Sequence, residues 1–256
     1  MPVTEEFLSF LFNLMSNIPL LLTLAIAPGV AICIYIFTLD RFNREPRRLL
    51  VRSFLLGIVS AFIAIALQAI LLPAAERLLL PGIVSAAIKA FFIVALTEEW
   101  SKYIMVRAYS WPKPEFDEPF DGIVYAVMVS MGFATIENVG YVLMHGVGTA
   151  LLRMFLSVPA HATFAVLMGY HMGLAKFQPG KKWAYLLRGL TLAIFFHGVF
   201  DFFLFLQEHE TVTRYVSTGL LTLGAIISFI IALNLSNRAI HAHAELSRET
   251  NRDGIS

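Results

Sequence analysis

Four acidic side chains and two histidines lie in stretches of the chain that are otherwise strongly apolar. They are Glu98, Glu99, Glu137, His161, His197 and Asp201. A carboxylate near the centre of a bilayer costs roughly 2.5 to 3.5 kcal/mol even on a lenient insertion scale, so four carboxylates cost on the order of 10 kcal/mol. Such groups in a membrane usually serve a function. The sequence therefore predicts a polar functional site inside a membrane.

The amino-acid composition is that of a membrane protein. The chain has 256 residues, of which 58% are hydrophobic and 14% are charged, and its mean hydropathy is +0.73. A soluble globular protein needs more polar surface than this composition provides. The single cysteine, Cys33, excludes a disulfide framework and a cysteine-based zinc site. No basic patch interleaved with aromatic residues indicates nucleic-acid binding.

Apolar stretches of about 20 residues predict an all-α bundle of seven transmembrane helices. Their approximate ranges are residues 17–38, 51–72, 87–110, 121–145, 151–175, 184–207 and 212–236. Glu5 and Glu6 stand where a signal peptide carries basic residues, so we expect the first helix to remain in the mature chain. Residues 111–120 contain three prolines and predict an irregular loop. We expect one helical domain over residues 1–237 and a polar, solvated cytoplasmic tail over residues 238–256.

The distribution of basic residues predicts the orientation of the bundle. Most of the 19 Lys and Arg residues fall in the loops on one side or in the C-terminal tail. The residues assigned to the other side are Arg77, Lys89, Arg153 and Arg214. By the positive-inside rule the C-terminus is cytoplasmic and the N-terminus lies outside. We expect a multi-pass protein of the cell (inner) membrane.

The six polar residues are predicted to lie at a similar depth. With a rise of 1.5 Å per residue, and with Lys89 taken as the outer end of the third helix, they lie about 9 to 15 Å below the outer helix ends. Four helices contribute to this layer. We therefore expect the polar groups to meet in one chamber nearer the outer face.

Two short motifs pair polar residues on one helix face. His197 and Asp201 are four residues apart, so both can bind one cation or one substrate group, although His197 could instead donate to a backbone carbonyl. Lys102 follows Glu98 by four residues and can neutralise it as an ion pair. Glu99 points about 100° away from Glu98 around the helix axis, so its carboxylate needs a different partner. One carboxyl of this pair could carry a proton.

The fourth and fifth predicted helices each add a polar group. Glu137 is the candidate site residue of the fourth helix, and the adjacent Asn138 can form hydrogen bonds to another helix. His161 follows Pro159, which we expect to bend the helix and open a water-filled pocket. The remaining histidines are predicted to be packing, interfacial or tail residues. They are His145, His171, His209, His241 and His243.

The residues by themselves leave two chemistries open. Four carboxylates, Lys102 and one divalent cation leave a single negative charge that one shared proton removes, which is typical of a zinc hydrolase with a glutamate general base. The same residues suit a proton relay in a transporter. A transporter predicts inverted repeats and paired broken helices, and we detect neither in the sequence. A non-enzymatic scaffold is a third alternative, and it predicts that amides can replace all four acids.

Four motifs, taken in order along the chain, resemble the PrsW family of intramembrane proteases, which is related to the type II CAAX prenyl endopeptidases. They are Glu98-Glu99 with Lys102, residues 133–138 ending in Glu137-Asn138, His161, and residues 197–201 from His197 to Asp201. The resemblance implies hydrolysis of a peptide bond in a membrane-anchored protein, in PrsW-type members an anti-sigma factor. In CAAX-type relatives a histidine occupies the second motif, where this chain has Glu137.

The resulting hypothesis is a seven-helix endopeptidase that acts on a single-span membrane protein in the lipid bilayer. Glu98 or Glu99 would activate water and then protonate the leaving amine, and Pro159 would mark the opening of the pocket. Zinc is the expected metal, and a water polarised by glutamate without a metal is the alternative. The predicted metal ligands are Glu137, His161, His197 and Asp201, the last as a fourth ligand or an orienting group.

Overall fold

The computed structural model describes residues 2–40 and 43–253, which are almost entirely helical. The α-helices in this part of the chain are α1 (Pro2–Leu39), α2 (Arg47–Glu76), α3 (Gly82–Ala87), α4 (Leu96–Met105), α5 (Asp121–His145), α6 (Val147–Phe155), α7 (Ser157–Phe177), α8 (Lys182–Phe205), α9 (Glu210–Thr213) and α10 (Thr218–Asp253). The predicted all-α polytopic bundle is confirmed. Arg41, one of the basic residues in the loop after the first predicted helix, and residues 254–256 of the predicted tail lie outside the described residues.

Six helical stretches among the described residues are long and apolar enough to cross a membrane. They are Ile18–Leu39, Arg47–Glu76, Asp121–His145, Val147–Phe177, Pro179–Glu208 and Thr218–Arg248. The third predicted helix corresponds to a further helical run over residues 82–110. This run is continuous, but it consists of alternating α-helical and π-helical segments. The total of seven spans and the orientation of the termini stay predictions.

The helical run over residues 82–110 alternates between α-helical and π-helical hydrogen bonding. The π-helical segments Ile88–Ala95 and Val106–Ser110 flank α4, which carries both glutamates of the first motif. Wider π-helical turns are rare and occur frequently at functional sites. The run begins at Gly82 rather than at the expected Lys89, yet Lys89 still lies at the mouth of the central cavity. The depth of the glutamates in the membrane stays a prediction.

Helix α5 forms the centre of the bundle. In its most apolar stretch 83% of the residues are buried, against 22% in α2. It packs against α1, α2 and α7, and small residues allow the closest approaches. A Cβ atom on Gly132 would collide with the carbonyl group of Phe54 in α2, and one on Gly122 would collide with the carbonyl group of Gly169 in α7. This central helix carries Glu137 and Asn138.

The fifth predicted helix, residues 151–175, is two helices in the structure. Helix α6 ends at Phe155, Leu156 leaves the helical conformation with φ −121° and ψ −67°, and α7 begins at Ser157. Pro159 lies in the first turn of α7, where its missing N–H would have no partner within the helix. The bend predicted at Pro159 is therefore wrong in position, because the helix is interrupted at Leu156.

The predicted solvated tail is a continuation of α10 with one buried face. Helix α10 runs unbroken to Asp253, and the side chain of His243 is fully buried with its ring 4.2 Å from that of Tyr170 in α7. Ser247 is also buried, and its Oγ accepts a hydrogen bond of 3.3 Å from the backbone N–H of Phe120. The four-residue spacing keeps both residues on one helix face. The composition of the tail is polar, but this face packs against the bundle.

Buried carboxyl groups join the loop before α2 to the start of α5. Asp121 accepts hydrogen bonds of 2.9 and 2.8 Å from the backbone N–H groups of Asp117 and Glu118. The Tyr125 hydroxyl donates to Glu45, which is 3% exposed. Burial raises the pKa of Glu45 from 4.5 to about 7. This carboxyl therefore binds its proton more tightly in the folded protein than in the unfolded chain.

We expect Glu45→Gln to flatten the pH dependence of stability. Because folding raises the pKa of Glu45 from 4.5 to about 7, its stabilising contribution is complete below the lower value and is lost as pH rises through the upper one. The Tm of the detergent-solubilised wild type should therefore fall more than that of Glu45→Gln between about pH 5 and about pH 8. Glu115→Gln, an exposed position near the same cluster, should behave as the wild type. Parallel Tm curves for wild type and Glu45→Gln would contradict the assignment.

Candidate active site

The six polar residues of the predicted site lie together around one cavity of about 690 Å³. Those that line it are Glu98, Glu137, His161, His197 and Asp201. Glu99 lies behind this wall and is fully buried. Lys89 and Glu208, which form an ion pair of 2.8 Å, line the same cavity where it approaches solvent. The convergence inferred from helix depth is therefore present in the tertiary structure.

The two adjacent glutamates have different environments. The fully buried Lys102 places its Nζ 2.7 Å from Glu99 Oε1 and 3.6 Å from Glu98 Oε2. The closer ion pair is thus at i,i+3 with Glu99, rather than at the i,i+4 spacing considered in the sequence. Glu99 is neutralised behind the cavity wall. Glu98 faces the cavity, with Oε1 3.3 Å from the Gln68 amide and Oε2 without a hydrogen-bond partner.

His197 is held by Glu99 on one side and faces two carboxylates on the other. Its Nδ1 lies 2.8 Å from Glu99 Oε1 and donates to that carboxylate, which leaves the lone pair on Nε2 in the neutral ring. Nε2 lies 3.3 Å from Asp201 Oδ2 and 3.9 Å from Glu98 Oε2. Three electron-pair donors face one another here, so a cation or a proton must lie between them.

His161 is engaged at both ring nitrogens. Its Nε2 lies 3.0 Å from Glu137 Oε2, and its Nδ1 accepts from Lys102 Nζ at 3.1 Å. The His161 ring stands edge-on to the His197 ring, with 5.1 Å between the centroids. Binding of a cation by His161 therefore requires one of its two hydrogen bonds to open. Glu137 is the more natural partner to retain, because a carboxylate fixes the orientation of a ligating histidine.

Arg153, which the distribution of basic residues assigned only to the outer side of the bundle, is bonded to residues of the site. Its Nη2 lies 2.7 Å from Glu137 Oε2, and its Nε donates to Asn138 Oδ1 at 3.0 Å. The Asn138 amide donates to the carbonyl oxygen of Ala25 in α1 at 2.9 Å, so Asn138 does bond between helices as predicted. The signal in the sequence was a lone arginine in the apolar stretch 147–155. Its partner could not be read from that stretch, because the chain first reverses at Gly146, where φ is +78°.

The donor set fits a divalent metal ion. One ligand atom each from Glu98, His161 and His197 lies within 4.8 Å of the others. Including Arg153 changes the net charge of the site. The four carboxylates carry four negative charges, and Lys102 and Arg153 carry two positive charges, so two negative charges remain. One divalent cation neutralises them without the extra shared proton that the sequence analysis required. The unpartnered Glu98 Oε2 faces the same position.

His171 and His145 have no part in this group. His171 is buried and donates from Nδ1 to the Leu167 carbonyl oxygen in its own helix at 2.9 Å, so it is a packing residue as predicted. His145 is exposed at the end of α5, where it lines the cavity and its ring lies 6.0 Å from that of Tyr141. It therefore serves as a matched control for substitutions deeper in the cavity.

Comparison with known proteins gives one consistent result. The family model described as PrsW family intramembrane metalloprotease matches residues 45–233, a range that contains every site residue named above. Protease PrsW of Geobacillus kaustophilus is 42% identical over 188 residues, covering 73% of this chain and 81% of the relative. Protease PrsW of Bacillus subtilis is 36% identical over 187 residues, covering 72% and 82%. No solved structure shows a significant match.

Proposed function

This chain belongs to the PrsW family of intramembrane metalloproteases, and from that premise we propose that it hydrolyses a peptide bond in a single-span membrane protein with Glu98 as the general base. It is a membrane-embedded protease and a multi-pass protein of the cell membrane. The transporter and scaffold alternatives are therefore set aside. The proposal concerns the substrate, the role of each residue and the identity of the metal.

The observation that carries the proposal is the contrast between the two glutamates. Glu98 lines the cavity, whereas Glu99 lies behind the cavity wall with its Oε1 bound by Lys102 and His197. Each carboxylate has one oxygen without a hydrogen-bond partner, so access to the cavity is what distinguishes the two residues. A general base must reach the proton that it removes. Glu98 takes a proton from the attacking water and then delivers it to the leaving amine. Glu99 orients His197 through Nδ1, so that the two neighbours in sequence have separate tasks.

The residues proposed to hold the metal are the two histidines of the donor group, His161 and His197, together with Asp201 in place of the third member of that group, Glu98. Asp201 Oδ2 lies 3.3 Å from His197 Nε2, a separation that allows both atoms to bind the same ion. Glu137 and Arg153 would then hold His161 in place, instead of Glu137 being a ligand as the sequence analysis expected. When bound, zinc would activate the attacking water and polarise the scissile carbonyl group. Zinc is proposed because its sites combine imidazole and carboxylate ligands and leave one position open.

The cavity wall favours an apolar polypeptide segment as substrate. Residues of α2, α5 and α8 contribute Ala61, Ala64, Ile65, Ile136 and Leu204 to the lining. A transmembrane segment can lie against such a wall while its scissile bond reaches Glu98. The substrate would enter at the end marked by Lys89 and Glu208, which the distribution of basic residues predicts to be the outer face. By family resemblance, we propose a membrane-anchored anti-sigma factor as the physiological substrate.

We expect His197→Ala to remove both the metal and the activity. Element analysis of the detergent-purified wild type should show about one zinc per chain, and the variant should retain little, because a ligand and the partner of Glu99 are lost together. Cleavage should be followed on single-span membrane proteins of the same bacterium that carry a tag at each end, co-expressed with either form. The variant should leave these reporters intact at unchanged protease abundance.

His145→Ala is the matched control, because it removes an imidazole from the same cavity at the exposed end of α5. It should keep both metal and cleavage. Cleavage by His197→Ala at the wild-type rate would remove His197 from the mechanism. An active wild type that contains no metal would overturn the metal assignment and leave the water polarised by Glu98 alone.

A further inference from the structure

A second cavity, of about 350 Å³, lies at the end of the bundle remote from the Lys89–Glu208 ion pair. It forms where the helical run over residues 82–110 ends and where α7 passes into α8. Its lining includes Arg107, Trp111, Lys176 and Lys182. Its lining contains three basic side chains and no acidic one. None of its lining residues lines the cavity of the candidate active site, so the two cavities are separate. This end of the bundle is predicted to be cytoplasmic.

Two of the three cations converge on one indole ring. The Arg107 guanidinium carbon lies 3.8 Å from the centroid of the Trp111 ring, and Lys182 Nζ lies 5.1 Å from it. Lys176 instead donates to the backbone carbonyl oxygens of Trp111 and Lys113, at 2.7 and 3.1 Å. Lys176 thus secures the backbone of the loop, whereas Arg107 and Lys182 lie against the indole and line the cavity.

These two cations have no carboxylate partner within the part of the chain that the structure describes. The ion pairs found there involve other basic residues. The cation–π contact with the indole compensates a positive charge only partly. Two like charges beside one ring repel each other unless an anion lies between them. A planar guanidinium and an ammonium together are well suited to phosphate oxygens. The cavity therefore has the chemistry of a phosphate site.

The surroundings of the cavity place it at a membrane surface. Trp183 and Leu187 are four residues apart at the start of α8, and they are 73% and 67% exposed. Phe177, at the end of α7, is 39% exposed. Exposed tryptophans at helix ends are typical of the membrane–water interface. An anion bound here would lie at headgroup depth, with an apolar strip along α8 directly beside it.

We propose that Arg107, Lys182 and Trp111 bind the phosphate group of an anionic phospholipid. The phosphate lies between the two cations, and the acyl chains lie along Trp183 and Leu187. Basic pockets between transmembrane helices on the cytoplasmic side bind anionic headgroups in this way. Inorganic phosphate offers the same oxyanion but makes no use of the apolar strip.

Native mass spectrometry of the full-length protein in detergent tests the proposal. Dioleoylphosphatidylglycerol, added at increasing concentration, should remain bound to the wild type, whereas dioleoylphosphatidylcholine at the same concentration should not. The double variant Arg107→Gln/Lys182→Gln should weaken retention by about ten- to thirtyfold, as expected for two cations at a membrane surface. The double variant Arg107→Lys/Lys182→Arg keeps both charges and should retain the lipid.

The matched control is Arg238→Gln/Arg248→Gln, which removes two exposed cations from α10. It should bind phosphatidylglycerol as the wild type does. An equal loss of lipid retention in Arg107→Gln/Lys182→Gln and in this control would overturn the site, because it would show that the lipid is held by general attraction to surface charge. Retention of inorganic phosphate with no preference for phosphatidylglycerol would overturn the lipid assignment. Unchanged Tm values establish that each variant is folded, and a wild type that retains neither anion would refute the proposal.

Discussion

Glu98→Gln should lower peptide-bond hydrolysis by about 10²- to 10⁴-fold while the protein remains folded and keeps its metal. The amide has the same shape as the carboxylate but cannot take a proton from water. Its packing should persist, because the Gln68 amide lies 3.3 Å from Glu98 Oε1 and can still donate to the oxygen of a glutamine. Cleavage of the doubly tagged reporters and element analysis of the same preparation measure the two effects separately.

Glu208→Gln is the control for Glu98→Gln, because Glu208 lines the same cavity at an exposed ion pair. It should cleave the reporters at close to the wild-type rate. Loss of metal from Glu98→Gln would make Glu98 a ligand instead of the base, since its carboxylate lies in the same donor group as His161 and His197. Unaltered cleavage would exclude Glu98 from either role.

Lys102→Met should destabilise the folded protein by about 3 to 5 kcal/mol, the usual effect of removing one partner from a buried ion pair. The substitution keeps the apolar stem but removes the charge that lies within 2.7 Å of Glu99 and 3.6 Å of Glu98. Two adjacent carboxylates would then lie buried without their shared cation. We expect a lower Tm in detergent and a lower yield of monodisperse protein.

A second substitution separates stability from chemistry. Glu99→Gln/Lys102→Met removes both members of the closer ion pair and should recover much of the lost Tm, while cleavage stays low because His197 loses its carboxylate partner. Lys89→Met, which breaks the exposed pair with Glu208, should change the Tm little. A Lys102→Met protein as stable as the wild type would show that the buried ammonium is dispensable.

The helical class and the convergence of the polar residues were predictable because the membrane restricts where polar residues can lie. Glu98, Glu137, His161 and His197 stand out in apolar sequence, and each carries an insertion cost that a random surface residue in a soluble protein would not. The His197–Asp201 spacing also predicted a shared face, since residues four apart on a helix are neighbours. The structure places these two side chains 3.3 Å apart.

Other features could not be predicted from the sequence because they depend on contacts between distant segments. Arg153 reaches Glu137 only after the chain turns at Gly146 and α6 packs back against α5. The interruption at Leu156 has no proline or glycine to mark it, and the visible signal, Pro159, lies inside the next helix. Residues near His243 looked solvated by composition, yet this histidine packs on Tyr170.

The helical membrane class, and the presence of ionisable groups in four of the helices, follow from the sequence, because apolar length and the cost of buried charge depend on local composition alone. The different environments of Glu98 and Glu99 depend on the tertiary structure. The two residues are adjacent and chemically identical, so no pattern along the chain distinguishes them. What distinguishes them is that Lys102 and His197 converge on Glu99 Oε1, whereas Glu98 lines the cavity.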